Sequence, residues 1–490
     1  VAAATSDATD LPPKQSPQQH CEALAGSSAG GATVGMVTFE PATEIAPEQC
    51  VVTGTLHGTL NFRIKLPSYW NGKLLVLGGG GWNGSIPASA YSASGNTDGY
   101  VVSASDGGRQ GSGLDAASFL DNPQGQQDFG YLSIHSTYEV AMEIIQKRYG
   151  RLPVYRYFEG CSNGGREALV QATRFPNDYD GIVVRAPAYS FTELFQHFVA
   201  IGQALREPGG AISDAKAAAI SKAALAACDA DDGLADGLVS RPQTCTFDPA
   251  SLRCSGSEGD DCLTEPQIST ARVIYSELKR ADSRLVYPGW GPGGEDLGWP
   301  AWINGSTVGG TGLQFQFGSG LIKYWITQDP GFDVLTFDPE LYRPELALAA
   351  TTLDASADLG TFFNRGGRMV LVHGTHDWAI SYKGSVKYFN DVAMASGGEA
   401  RRDQAMEMFL QPGVQHCSGG TGPDSVDLLA AVSTWVESGK RPSTQNIVAR
   451  KRDPGGATVL SRPLCRYPTF PKYKGSGSEA DAANFTCQAN

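Results

Sequence analysis

Long apolar runs are missing from this chain of 490 residues. None reaches the ~18 consecutive apolar residues that a membrane-crossing helix needs, which predicts a soluble protein. Positive charge is also sparse, with 38 Lys+Arg against 51 Asp+Glu, a net charge of −13 and a pI near 5.1. The sequence therefore offers no basic footprint for phosphates or anionic lipid, and neither nucleic acid nor membrane is expected as a partner. No Cys-x-x-Cys pair suggests a zinc or redox centre, and no organic-cofactor motif is evident. The ten cysteines, an even number, instead point to disulfides and an oxidising compartment, secreted or periplasmic. Residues 1–20 have neither a basic n-region nor an apolar h-region and read as a mature N-terminus. Three sequons, at Asn83, Asn304 and Asn484, would accept glycans in a eukaryotic host.

The 41% of apolar residues that are present can bury a large core. Lys73 to Leu77 is an apolar strand running into Gly78-Gly79-Gly80-Gly81, and Gly99 to Ser103 is another ending in Asp106-Gly107-Gly108. Ser136 to Tyr149 has apolar residues at helical spacing and Gly150 as a stop. Val154 to Glu159, a turn, a helix through about Thr173 and the strand Gly181 to Val184 make a strand-helix-strand unit, which implies a parallel sheet. The pattern resumes with a strand at Arg368 to Val372 and a helix at Asp424 to Trp435. This predicts an α/β-hydrolase core with a mostly parallel sheet, built from residues 1–189 and 356–490, and a large inserted lid domain at 190–355. The insertion holds Trp290, Trp299, Trp302 and Trp325, with Phe315, Phe317 and Tyr324 nearby. These rings read as a lid over the carboxyl edge of the sheet, where α/β enzymes bind ligands; the alternative is an aromatic core for the insert itself.

Gly160-Cys161-Ser162-Asn163-Gly164 matches the Gly-x-Ser-x-Gly elbow, whose small flanking residues allow a tight strand-to-helix turn that lifts the hydroxyl above the sheet. Gly26 to Gly30 matches the same pattern but follows no strand and opens no helix, so context selects Ser162. In this fold the order is nucleophile, acid, histidine, which leaves His197, His373, His376 and His416 as candidates. His197 lies in the insertion, and His373 and His376 sit in the loop where the acid is expected. The assignment is Ser162 as nucleophile, Asp377 as acid and His416 as base.

Cys161 directly precedes the serine and Cys417 directly follows the histidine, 256 positions apart. If Ser162 and His416 are within hydrogen-bond reach, the two cysteines can fall within disulfide range, and the bridge would stabilise the fold by roughly 4–5 kcal/mol. The oxyanion hole would use the N–H of Asn163 with that of Gly80 or Gly81.

Cys228 to Leu238 packs four carboxylates into eight residues punctuated by two glycines, a loop suited to Ca²⁺, although no Glu stands at the position an EF-hand demands. Cys228 and Cys245 would close it as a disulfide. Its role would be structural, away from the reacting centre.

Cys161-Ser162, Asp377 and His416-Cys417, with the Gly-Gly-Trp-Asn run, the elbow through Arg166 and the acidic loop, resemble the tannase and feruloyl esterase family, to which the mono(2-hydroxyethyl) terephthalate hydrolases also belong. The resemblance spans roughly residues 20–490. It implies the same three catalytic residues, calcium ligation by Asp229, Asp232 and Asp236 with the carbonyls of Leu234 and Leu238, and an outward Asp231. It also implies the disulfides Cys21–Cys50, Cys254–Cys262 and Cys465–Cys487. The substrate it implies is a small ester of an aromatic acid, feruloyl or galloyl. A terephthalate monoester is the rival within the family and would need a cation such as Lys323 for its free carboxylate. Two further readings stay open: a non-catalytic calcium-stabilised phenolic-binding module, and a serine peptidase on the same fold.

Overall fold

The structure, a computed structural model, describes residues 16–43 and 46–489. The reading of residues 1–20 as a mature N-terminus falls mostly on residues 1–15, outside those described. Among the described residues a short helix, Pro17–Glu22, precedes an antiparallel meander of β1 (Ser28–Ala29), β2 (Ala32–Glu40), β3 (Gln49–Leu56) and β4 (Leu60–Pro67). Next come β5 (Lys73–Leu77), β6 (Val101–Ser105), β7 (Tyr155–Cys161) and β8 (Gly181–Arg185). A separate ribbon, β9 (Leu278–Lys279) with β10 (Leu285–Tyr287), precedes β11 (Arg368–Gly374) and β12 (Met406–Gln411). Two hairpins end the chain: β13 (Val448–Arg452) with β14 (Thr458–Pro463), and β15 (Phe470–Tyr473) with β16 (Phe485–Gln488).

Ten strands form one sheet in the order β1-β2-β3-β4-β6-β5-β7-β8-β11-β12. The five pairings from β6 to β12 are parallel and the four from β1 to β6 antiparallel, so the α/β-hydrolase expectation holds with a larger antiparallel flank than the sequence suggested. The parallel strands are buried on both faces, and their residues divide by the two-residue period of a strand. Leu74, Val76, Ile182, Val184, Met369 and Leu371 enter a core beneath the helices Ser133–Tyr149, Asn163–Arg174 and Tyr382–Ala395. Leu75, Leu77, Val183, Val370 and Val372 enter a second core beneath the helix Leu428–Ser438.

The segment between β8 and β11 adds no strand to the main sheet and is mostly helical. Its core is not self-contained. Trp290, Trp299, Leu321 and Leu353 cluster with Trp82, Phe119 and Phe129 from before it and with Trp378, Ala379 and Ile380 from after it.

All five expected disulfides are formed: Cys21–Cys50, Cys161–Cys417, Cys228–Cys245, Cys254–Cys262 and Cys465–Cys487. Among the described residues no helix is long and apolar enough to cross a membrane. One sequon is corrected. Asn83 is buried at 3% exposure with its amide hydrogen-bonded to Glu167, which leaves it no room for a glycan.

Candidate active site

The candidate residues come from loops at one edge of the sheet. Ser162 follows β7, Asp377 lies three residues past β11, His416 five past β12 and Gly80 three past β5. Parallel strands present their carboxyl ends together, which gathers loops distant in sequence.

Ser162 turns the chain from β7 into the helix Asn163–Arg174 with φ 64° and ψ −123°, a conformation an L-residue holds only when its surroundings enforce it. The glycines permit the turn by contact: a Cβ on Gly160 would lie 2.3 Å from Gly164 O, and one on Gly164 2.7 Å from Gly79 O. The elbow is also pinned by Ser162 N donating to Arg185 O at 3.1 Å.

His416 donates from Nδ1 to Asp377 Oδ2 at 2.8 Å, and its Nε2 has no hydrogen-bond partner among the described residues. The Cys161–Cys417 bridge, with a Cα–Cα distance of 5.9 Å, ties this histidine's loop to the serine's strand. Asp377 Oδ1 accepts from the amides of Ala379 and Ile380, both at 2.8 Å. Burial alone would raise the Asp377 carboxyl, but the His416 and His373 imidazoles beside it outweigh burial and hold it well below the usual carboxylate range.

His373 was set aside in the sequence as a loop histidine, yet it faces the same oxygen. Its Nε2 lies 3.2 Å from Asp377 Oδ2 and 2.9 Å from Ile380 O, two acceptors, so Nε2 carries the proton and Nδ1 accepts from Ser385 Oγ at 2.7 Å. His376 is buried against Gly293 and Gly294, with neither ring nitrogen partnered among the described residues, and burial holds it down to about 4. It takes no part in this cluster.

Ser162, His416, Cys417, Asn163, Gly80 and Gly81 line one cavity of about 260 Å³. The amides of Gly80, Gly81 and Asn163 have no acceptor among the described residues, leaving three N–H groups beside the serine for a developing negative charge. A Cβ on Gly81, which has φ +55°, would sit 2.4 Å from Gly113 O.

The cavity wall is aromatic, but only partly with the rings expected. Trp302 and Phe317 line it, whereas Trp290, Trp299 and Trp325 are core residues of the insertion. Phe315, Tyr324 and Lys323 face a different surface depression, so Lys323 is not available to a group bound at Ser162. Four more lining residues, Phe191, Leu194, Phe195 and Phe198, come from the helix Phe191–Arg206. Their i, i+3, i+4, i+7 spacing is a sequence signal for one apolar face. Tyr91, half exposed, stands at the mouth, and Trp302 meets His416 edge-on at 5.4 Å between centroids.

In the acidic loop, Asp229 Oδ2 accepts from Gly237 N, Asp232 from Leu234 N and Ser240 N, and Asp236 Oδ1 from Leu238 N, while Asp236 Oδ2 pairs with Arg462. Asp231 is exposed. Asp229 Oδ1 is buried without a partner among the described residues, and burial pushes Asp232 up to about 6. An oxygen-seeking dication would relieve both conditions. No three acidic, His or Cys side chains among the described residues converge as a ligand set, however, and the loop is held by its own hydrogen bonds. The loop does reach the chain ahead of His416. Leu238 packs on Gly413, where a Cβ would lie 2.5 Å from Leu238 Cδ2, and Gly413 belongs to the segment that leads to His416.

A family model for tannase and feruloyl esterase matches residues 46–488. The chain is 32% identical to a mono(2-hydroxyethyl) terephthalate hydrolase of Piscinibacter sakaiensis, over 92% of this chain and 87% of that protein. It is 30% identical to a probable feruloyl esterase of Arthroderma benhamiae, over 86% and 81%. The crystal structure of an esterase from Aspergillus oryzae, 26% identical, superposes with a TM-score of 0.87 over 96% of this chain and all of that one. The chain belongs to the tannase and feruloyl esterase family and is a carboxylic ester hydrolase of the α/β-hydrolase fold.

Proposed function

We propose that this esterase is secreted and cleaves esters of aromatic acids, hydroxycinnamic, gallic or related, through Ser162, His416 and Asp377. The observation that carries this reading is one cavity in which a strained serine, an imidazole with a free Nε2, three unpaired amides and a wall of phenylalanines meet. Ser162 Oγ attacks the ester carbonyl as its proton passes to His416 Nε2. The amides of Asn163 and of Gly80 or Gly81 hold the oxyanion, and the alcohol leaves as His416 returns the proton. Water, deprotonated by His416, then attacks the acyl-enzyme, and the acid is released as His416 returns that proton to Ser162 Oγ. Asp377, kept ionised, favours the imidazolium that forms in each step. Five disulfides support the extracellular setting.

The Piscinibacter sakaiensis relative supports a second substrate, a terephthalate monoester. It ranks lower because no Lys or Arg is among the lining residues to meet a ring carboxylate. Initial rates on methyl ferulate, methyl gallate and mono(2-hydroxyethyl) terephthalate decide between them. Ferulate turnover is expected to lead and to fall about 10⁴-fold or more in Ser162→Ala. Fastest turnover of the terephthalate ester would reverse the ranking, and no turnover of any of the three would point to an acyl group outside this aromatic class.

Within the same reading, Asp229, Asp232 and Asp236, with the carbonyls of Leu234 and Leu238, hold a structural Ca²⁺. The orphaned Asp229 oxygen supports it. Chelation is expected to lower Tm by about 5 °C, restored by added Ca²⁺. A Tm indifferent to both would remove the metal from the proposal.

A further inference from the structure

We infer that Glu167 is a positioning residue for the oxyanion site: its single carboxylate clamps the loop bearing Gly80 and Gly81 to the end of the helix bearing Asn163. The inference rests on the reading of Ser162 as nucleophile with those amides as donors.

Glu167 is buried at 2% exposure, one helical turn beyond Asn163. Its Oε2 accepts from Gly79 N at 2.8 Å, the amide immediately before Gly80. Its Oε1 accepts from Asn163 Nδ2 at 3.0 Å and from Asn83 Nδ2 at 2.8 Å, and Asn83 Oδ1 in turn accepts from Asn163 Nδ2 at 3.0 Å. Asn83 N donates to Gly80 O at 2.8 Å, closing the turn that presents Gly80 and Gly81. Every link from the carboxylate thus ends on one half of the donor pair or the other. The two halves come from segments some 80 residues apart, so their spacing is not fixed by local geometry. Gly78 and Gly164 make the close approach possible, since a Cβ on Gly78 would lie 2.6 Å from Gly164 Cα.

Burial pushes the Glu167 carboxyl up, opposed by the Arg166 guanidinium and by the three donors. Those donors require an acceptor on both oxygens. A glutamine supplies one oxygen and turns an NH₂ toward at least one N–H. A misplacement of a few tenths of an ångström at the donors costs more in the transition state than in substrate binding.

The test compares wild type, Ser162→Ala, Glu167→Gln and Asn83→Ser for kcat and KM on p-nitrophenyl butyrate, for inhibition by phenylboronic acid, which forms a tetrahedral adduct on a serine, and for Tm. In Glu167→Gln, kcat is expected to fall about 100-fold with KM within about threefold, and boronate inhibition to weaken by a similar factor. In Asn83→Ser, which keeps the carboxylate, the same pattern is expected at about tenfold. A folded Glu167→Gln with kcat and boronate affinity within about twofold of wild type overturns the inference. So does loss of the fold in both variants, which would make the network structural only. If instead Ser162→Ala keeps turnover, or the boronic acid fails to inhibit wild type, the serine reading itself falls and takes this inference with it.

Discussion

Asp377 Oδ2 receives two imidazoles, His416 Nδ1 at 2.8 Å and His373 Nε2 at 3.2 Å, and their division of one oxygen sets how strongly the carboxylate can support the positive charge proposed for His416. The second donor also holds the carboxylate in place. In His373→Phe, which removes one hydrogen bond of about 1 kcal/mol, kcat/KM is expected to fall about fivefold. Unchanged kcat/KM at unchanged Tm would show that His373 only fills space. At this scale the meeting of His416 with Asp377 and of Cys161 with Cys417 was legible, because a motif, a chain order and two cysteine adjacencies singled out those segments. His373 and Glu167 were not. Each acts through partners four residues away or in another segment, and a lone His or Glu carries no mark in sequence of what the turn beside it will bring near.

Among the elements, the helix Glu295–Trp302 begins with a carboxylate sealed inside the insertion. Glu295 is fully buried, its Oε1 accepts from Tyr275 OH at 2.7 Å and Gly293 N at 2.8 Å, and its Oε2 has no partner among the described residues. Burial raises its carboxyl to about 7. A carboxyl whose folded value lies above its unfolded value of about 4.5 contributes stability in full below that value, and this is lost as pH rises toward 7. The loss amounts to about 3 kcal/mol. Glu295→Gln does not titrate, so its stability relative to wild type should improve by about that much between pH 4.5 and pH 8, read from denaturant midpoints at the two pH values. A constant difference would mean that burial does not raise the Glu295 carboxyl. Of the parallel strands, β5, β6, β7, β8 and β11 were readable as apolar runs, whereas β12 (Met406–Gln411), which carries Glu407 and two methionines, was not read; the alternate residues of the strands that were read do feed two cores. The meander β1–β4 escaped notice because no continuous apolar run announces it; its signal is alternation, clearest in β4, where Leu60, Phe62, Ile64 and Leu66 are buried and Asn61, Arg63 and Lys65 between them are only partly so. The insertion's tryptophans were counted toward the ligand because composition cannot say which face of a helix is inward. Three of the four are core, and the phenylalanine face of Phe191–Arg206 takes the wall instead.

For the whole molecule, the governing constraint is the Cys161–Cys417 bridge, which closes a loop of 256 positions beside the proposed nucleophile and base. Cys417 itself holds φ 64°, so the bond and a strained backbone together orient His416. The double variant Cys161→Ser/Cys417→Ser is expected to lose about 5 kcal/mol of stability by chain-entropy arithmetic. It should also lose kcat at temperatures where it remains folded, measured by unfolding midpoint and turnover in parallel. Full turnover in the folded variant would reduce the bridge to a purely structural crosslink. The same bond has a topological effect. The whole insertion, from the end of β8 to the start of β11, lies inside the covalent ring that it closes. A protease that cuts once anywhere between Ser162 and His416 opens the ring without separating the pieces. The nicked protein would migrate as a single species on a denaturing gel until a reductant is added, and a chain working among extracellular proteases would keep its two halves together after a first cleavage.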